Sequence, residues 1–228
     1  MSLALADTAT TAAHRDDPHY VAPGFFDLHV CHWPERPLFF MALFSTMQFA
    51  DVATVEIFDA NNKTLGALDL KQFEITKTKQ GQDKRVFISY FDVAPGAPDG
   101  WYSAKISMRD GAVFSARDLV QVQRMALPTG FLPADQAQLD AIPCELHWNA
   151  IPGARYYQVT LRDAWADGKS IFKSKLLTEP RVALPQGLLR RGGSYTWRVH
   201  ARDVNEDKDL GDFNLGTMGP VISFTIAP

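Results

Sequence analysis

The sequence predicts an all-β protein built as two tandem antiparallel β-sandwich domains. Apolar and polar residues alternate with a period of two through most of the chain, and that alternation puts successive side chains on opposite faces of a strand. No window longer than a few residues holds the 3.6-residue apolar period of a helix. The second half of the chain also repeats landmarks of the first in the same order. Of the 228 residues, 46% are hydrophobic and 21% charged, enough apolar material to fill a core in each half and too much for a disordered chain.

In the first half, alternation predicts strands at 25–32, 37–44, 52–59, 64–70, 73–78, 84–90, 101–109 and 113–122. Asn61-Asn62 and Asp110-Gly111 are the strongest hairpin signals, because Asn and Gly tolerate the positive φ that tight loops demand. Pro128, Gly130 and Pro133 punctuate a stretch with no alternation, which marks 125–136 as a linker. The predicted organisation is an unstructured segment at 1–23, a sandwich at 24–124, that linker, and a second sandwich at 137–228.

The repeat is specific. Gly100-Trp101-Tyr102 through Arg109-Asp110 aligns without a gap on Gly193-Ser194-Tyr195 through Arg202-Asp203. Upstream, Val55-Glu56-Ile57-Phe58-Asp59-Ala60 matches Val159-Thr160-Leu161-Arg162-Asp163-Ala164, and each is followed by Lys-Thr-Leu or Lys-Ser-Ile. Duplicated units of this size predict two domains that share a topology.

The second half resembles a fibronectin type III module. Leu146-x-Trp148, Pro152-Gly153-Ala154, Tyr157-x-Val159-x-Leu161, Leu184-Pro185 and Gly193-x-Tyr195-x-Trp197-Arg198-Val199 carry the resemblance. It implies that Tyr195 packs its ring in the core and bonds nearby backbone through its hydroxyl, with Tyr102 as its counterpart. The first half resembles the wider immunoglobulin-like group more loosely, since it lacks the early Leu-x-Trp pair. The resemblance implies a fold and no ligand.

Several function classes are excluded. A formal net charge of −3 and the lack of any basic run argue against a nucleic-acid partner. The longest apolar stretch, 38–44, is far short of the ~20 residues of a membrane helix. There is no Gly-x-Ser-x-Gly elbow, His-Glu-x-x-His, P-loop or dinucleotide fingerprint, so the reading is non-enzymatic. An enzyme working between the domains is the third alternative. Ala4-Leu5-Ala6-Asp7 reads as the small-residue end of a signal peptide, although no apolar h-region precedes it. The expected location is periplasmic or extracellular, with the cytoplasm as the alternative. The expected partner is a protein or a glycan.

No cofactor is expected, but two segments could ligate calcium, zinc or copper, which makes a metal-binding protein the second reading. His29 and Cys31 share a strand face, with His32 on the other, and His14 and His19 precede them. The competing reading is an ordinary packed cysteine beside two surface histidines. Asp203, Asn205, Asp207 and Asp209 imitate the opening of a calcium loop, but Lys208 stands where Gly is needed and Asn214 where the closing Glu should be. Cys144 shares a face with Leu146 and Trp148 and is expected in the second core, leaving two free thiols.

Trp165, near a hairpin tip, is a candidate contact anchor unless its ring folds back on its own sheet. Trp33 and Trp101 are read as core or interdomain residues. A long connection at 204–220 replaces the tight turn of the first repeat. Its Phe213, Leu215 and Met218 are expected to contact the first domain or the linker.

Overall fold

The structure, a computed structural model, describes residues 17–78, 80–203 and 213–228. Every regular element among them is a β-strand. The protein is all-β, with its sheets in a sandwich arrangement. The chain separates into two compact units, Met1–Leu28 with Phe40–Val122, and His29–Phe39 with Gln123–Pro228.

The first unit contains β1 (Tyr20–Val21), the first part of β2 (Gly24–His32), all but the first residue of β3 (Phe39–Thr46), β4 (Val52–Phe58), β5 (Thr64–Ala67), β6 (Phe73–Lys77), β7 (Asp83–Asp92), β8 (Gly100–Met108) and β9 (Val113–Val120). One sheet runs β2-β3-β7-β6 with β1 on β2, and the other runs β5-β4-β8-β9. In the second of these, alternation sorts the side chains: Tyr102, Ala104 and Ile106 of β8 are fully buried, whereas Trp101 and Lys105 are exposed. Phe40 of β3 meets Tyr102 of β8 with ring centroids 5.3 Å apart, so the two sheets share one core. The Asn61-Asn62 turn forms as expected: Asn62 has φ 61°, and the Asp59 carboxylate accepts from the Asn61 and Lys63 amides. At the second hairpin Gly111 has φ 92° and Asp110 accepts from the Ala112 amide.

The second unit contains β10 (Ala137–Leu139), β11 (Glu145–His147), β12 (Tyr156–Asp163), β13 (Lys169–Lys173), β14 (Arg181–Ala183), β15 (Ser194–Arg202), β16 (Leu215–Met218) and β17 (Ile222–Ile226). β12 lies between β13 and β15. β15 pairs β17 over its first half and β16 over its last three residues. β10 runs parallel to β17, and β11 pairs β14 in a small second sheet. Leu146 and Trp148 pack into a core with Tyr157, Val159, Trp197 and Phe224, and the Trp148 ring lies edge-on to Tyr157 at 5.4 Å.

Both tyrosines do what the resemblance implies. Tyr102 is buried and its hydroxyl donates to the Pro98 carbonyl at 2.8 Å; Tyr195 is buried and its oxygen accepts from the Arg190 amide at 2.9 Å.

The repeat is also a repeat of hydrogen-bond register. Val55 faces Ile106 and Ile57 faces Ala104 in the first unit; the aligned pairs Val159–Val199 and Leu161–Trp197 face each other in the second. The hairpin that follows is irregular at the same step, between Ile57 and Phe58 in one unit and Leu161 and Arg162 in the other. Matching bulges re-aim the strand in the same way, so the two units share their central strand geometry.

Two expectations need correction. Cys144 is exposed rather than packed, because β11 begins only at Glu145 and alternation does not extend back to residue 144. The 204–220 connection is not wholly a loop: Leu215–Met218 form β16. The alternation there is hidden by Gly216, which holds a position where a Cβ would lie 2.5 Å from the Phe213 ring.

Candidate functional site

β16 brings together residues that the sequence places far apart. It runs parallel to the end of β2, with Leu215 opposite Val30, Gly216 opposite Cys31 and Thr217 opposite His32, all within the second unit. On its other side Gly216 faces Arg202 of β15. Arg202, Gly216 and Cys31 therefore lie in a row on one sheet face, and His29 shares that face two residues away. The Phe213 ring fills the hollow over Gly216, stacks on His29 at 3.7 Å and meets His200 edge-on at 5.5 Å. The Arg202 guanidinium lies 5.0 Å from the same ring.

His29 is buried (2%), which corrects its reading as a surface histidine: the parallel pairing with β16 covers the end of β2. Cys31 is buried and is not disulfide-bonded. The Arg202 Nε donates to His200 Nδ1 at 3.3 Å, which assigns the ring proton of a neutral His200 to Nε2. Burial pushes the His200 pKa down to about 3, and the charges of Arg202, His29, Lys173 and Arg198 push in the same direction. The Arg202 guanidinium and the Phe213 ring thus stand beside His29, Cys31 and a neutral His200.

Among the described residues no group of three or more His, Cys, Asp or Glu is placed to hold a metal. Asp203 accepts from the Leu215 amide at 2.9 Å and so anchors β16. Asn205, Asp207 and Asp209 lie outside the described residues, as does His14. His19 sits between two carboxylates, with Nδ1 2.7 Å from Asp17 and Nε2 3.1 Å from Asp118, where it ties β1 to β9. Of the three residues expected at an interdomain contact, Phe213 fills the hollow above, Leu215 packs against the core of the second unit, and Met218 pairs with His200.

The outer face of the β5-β4-β8-β9 sheet offers a different kind of site. Trp101 of β8 and Leu119 of β9 face each other across the ladder, 45% and 51% exposed. The Arg117 guanidinium lies 5.2 Å from the Trp101 ring centroid, a cation–π contact. Along the same face Lys105 pairs with Glu56 at 3.3 Å. Beside Ser103, Ser115 and Lys105 is a shallow depression of about 440 Å³ that reaches Asn62.

The duplication shows that these apolar residues are not required by the fold. The positions equivalent to Trp101 and Leu119 in the second unit are Ser194 and Thr225, paired in the same register, and Arg117 corresponds to Ser223. Small polar residues suit an exposed sheet position there. Trp101 was read as a core or interdomain residue, and its exposure corrects that. The signal against it lay in the motif: Trp101 is adjacent to Tyr102, and neighbours on a strand point to opposite faces.

Trp165 is 67% exposed at the tip of the β12–β13 hairpin, so its ring does not fold back on the sheet. Its amide donates to Asp163, the same turn that Asp59 makes with Asn61. Trp33 packs edge-on against Phe39 at 5.1 Å inside the second unit.

No protein-family model matches the chain, and no curated protein matches its sequence. Solved structures similar to it include dimeric latent PorU from Porphyromonas gingivalis, at 12% identity and a TM-score of 0.28, covering 95% of this chain and 21% of that one. A second is the mixed-linkage glucan utilization locus protein SGBP-B of Bacteroides ovatus in complex with a heptasaccharide, at 13% identity and a TM-score of 0.23, covering 86% and 43%. A third is murine CEACAM1b, at 9% identity and a TM-score of 0.23, covering 88% and 99%. This chain thus spans less than half the length of the first two. These likenesses carry no residue, ligand or activity over to it.

Proposed function

We propose that this chain is an exported, non-enzymatic binding protein of the immunoglobulin-like and fibronectin type III-like kind. It presents the outer face of its β5-β4-β8-β9 sheet to a protein or glycan partner. One observation carries the reading: Trp101 and Leu119 stand half-exposed and opposite each other where the duplicated unit has Ser194 and Thr225. Exposed apolar pairs cost solubility, and retaining one at a position the fold fills with Ser and Thr calls for a use. Trp and Arg are the residues most enriched at contact hot spots, and here they are stacked on paired strands rather than held on a loop.

The test replaces the pair by its duplicate, Trp101→Ser with Leu119→Thr. The wild-type and variant chains are immobilised and exposed to a glycan array and to proteins secreted by the source cells. The expected result is at least one ligand retained by the wild type and bound tenfold more weakly by the variant, at equal thermal stability. Equal retention by both chains rejects the site.

A further inference from the structure

Resting on that reading of the Trp101 face, we infer that its occupant is a protein whose contact patch places a carboxylate beside an apolar side chain. The residues around Trp101 decide between a polypeptide and a sugar. Its ladder partner is Leu119, its same-face neighbour on β8 is Ser103, and the residue opposite Ser103 is Arg117. None of these is a carboxylate or an amide. Sugar rings present adjacent hydroxyls that both donate and accept, and sites for them need planar acceptor groups set beside the aromatic ring. Immediately around the Trp101 ring the face supplies a guanidinium, which only donates, an aliphatic side chain, which does neither, and the Ser103 hydroxyl. Its planar acceptors are Glu56, which Lys105 holds, and Asn62, at the depression beside Ser103. A carboxylate meets the guanidinium through two parallel bonds, while an apolar side chain covers Leu119.

Charge points the same way. The face carries Arg117 and Lys105 against Glu56, and Glu56 is already paired with Lys105 at 3.3 Å. Among the described residues no carboxylate forms a salt bridge with Arg117. Its guanidinium rests on the Trp101 ring, which orients it and sheds part of its water before a partner arrives.

The second unit shows what satisfies a cation at the equivalent place. Lys105 aligns with Arg198, and Arg198 donates through Nε to the Gly219 carbonyl at 2.8 Å and through a terminal nitrogen to Glu35 at 2.9 Å. The same face is filled a few residues on by the Phe213 ring over Gly216. In the second unit a backbone carbonyl and a carboxylate, both from polypeptide, thus satisfy the cation equivalent to Lys105, while Thr225, the counterpart of Leu119, stays exposed.

The probe is a library of random twelve-residue peptides displayed on phage and selected on the intact chain. Enriched sequences should pair Asp or Glu with a neighbouring Leu, Ile, Phe or Trp. A synthetic peptide from that set should bind at least tenfold more weakly to Trp101→Ser/Leu119→Thr. Arg117→Glu should weaken it to a similar degree and, used as bait, should select Lys- or Arg-bearing peptides instead. A library that yields no Trp101-dependent peptide, or one without enrichment in acids, overturns the inference. So does affinity that is unchanged in Arg117→Glu. If array glycans, and not peptides, bind in a Trp101-dependent way, the occupant is a sugar and the face itself stands. If neither ligand set depends on Trp101 and Leu119, the reading of the face falls as well.

Discussion

His200 should make this protein lose stability as the solution is acidified. The folded protein holds the imidazole neutral, with a pKa of about 3, because its burial and the charges of Arg202, His29, Lys173 and Arg198 oppose protonation. In the unfolded chain the same group titrates near its ordinary value of 6.5. A depressed histidine pKa means that the unfolded chain binds the extra proton. Stability is therefore full above pH 6.5 and falls as pH drops from 6.5 towards 3. Each pH unit in that window costs at most about 1.4 kcal/mol, so between pH 7.5 and pH 5 the loss from this group is about 2 kcal/mol. Urea unfolding of the wild type and of His200→Gln at both pH values isolates the term, since other titrating groups act on both proteins. The wild type should lose about 2 kcal/mol more than the variant. If both lose the same amount, the imidazole is not held neutral by this surrounding.

Three further outcomes follow from packing. Gly216→Ala introduces a Cβ 2.5 Å from the Phe213 ring and 3.1 Å from His200 Nε2, and should cost about 1–3 kcal/mol in urea unfolding. A variant as stable as the wild type would show that Phe213 yields freely. Tyr102→Phe removes the bond to the Pro98 carbonyl and should cost about 1 kcal/mol by the same measurement. Burial, with Asp59 and Asp99 adding to it, pushes the Tyr102 pKa up to about 12, so the phenol stays a donor at any ordinary pH. With a thiol reagent and mass spectrometry, the exposed Cys144 should label in the native protein, and the buried Cys31 only on unfolding. Equal rates at the two positions would contradict the placement of one of them.

Strand positions were legible in the sequence because alternation is a local signal: β4 was expected at 52–59 and spans Val52–Phe58, and β8 was expected at 101–109 and spans Gly100–Met108. The repeat was legible for the same reason and reappears as shared register and a shared bulge. Hairpin turns followed from Asn62 and Gly111, whose backbone conformations few other residues adopt. The rest depended on contacts between residues distant in the chain. The pairing of Leu215–Thr217 with Val30–His32 spans 185 residues, and no local pattern announces it because its central residue is a glycine. That pairing buries His29 and sets Cys31 and Arg202 on either side of Gly216, under the Phe213 ring. Alternation also showed that Trp101 must point away from Tyr102, but not which of the two faces is the core. Only the packing of Tyr102 against Phe40 from the opposing sheet decided that, and it left Trp101 on the outer face with Leu119. Period two determines which side chains share a face, and burial of one face against a second sheet determines which of them is free to bind.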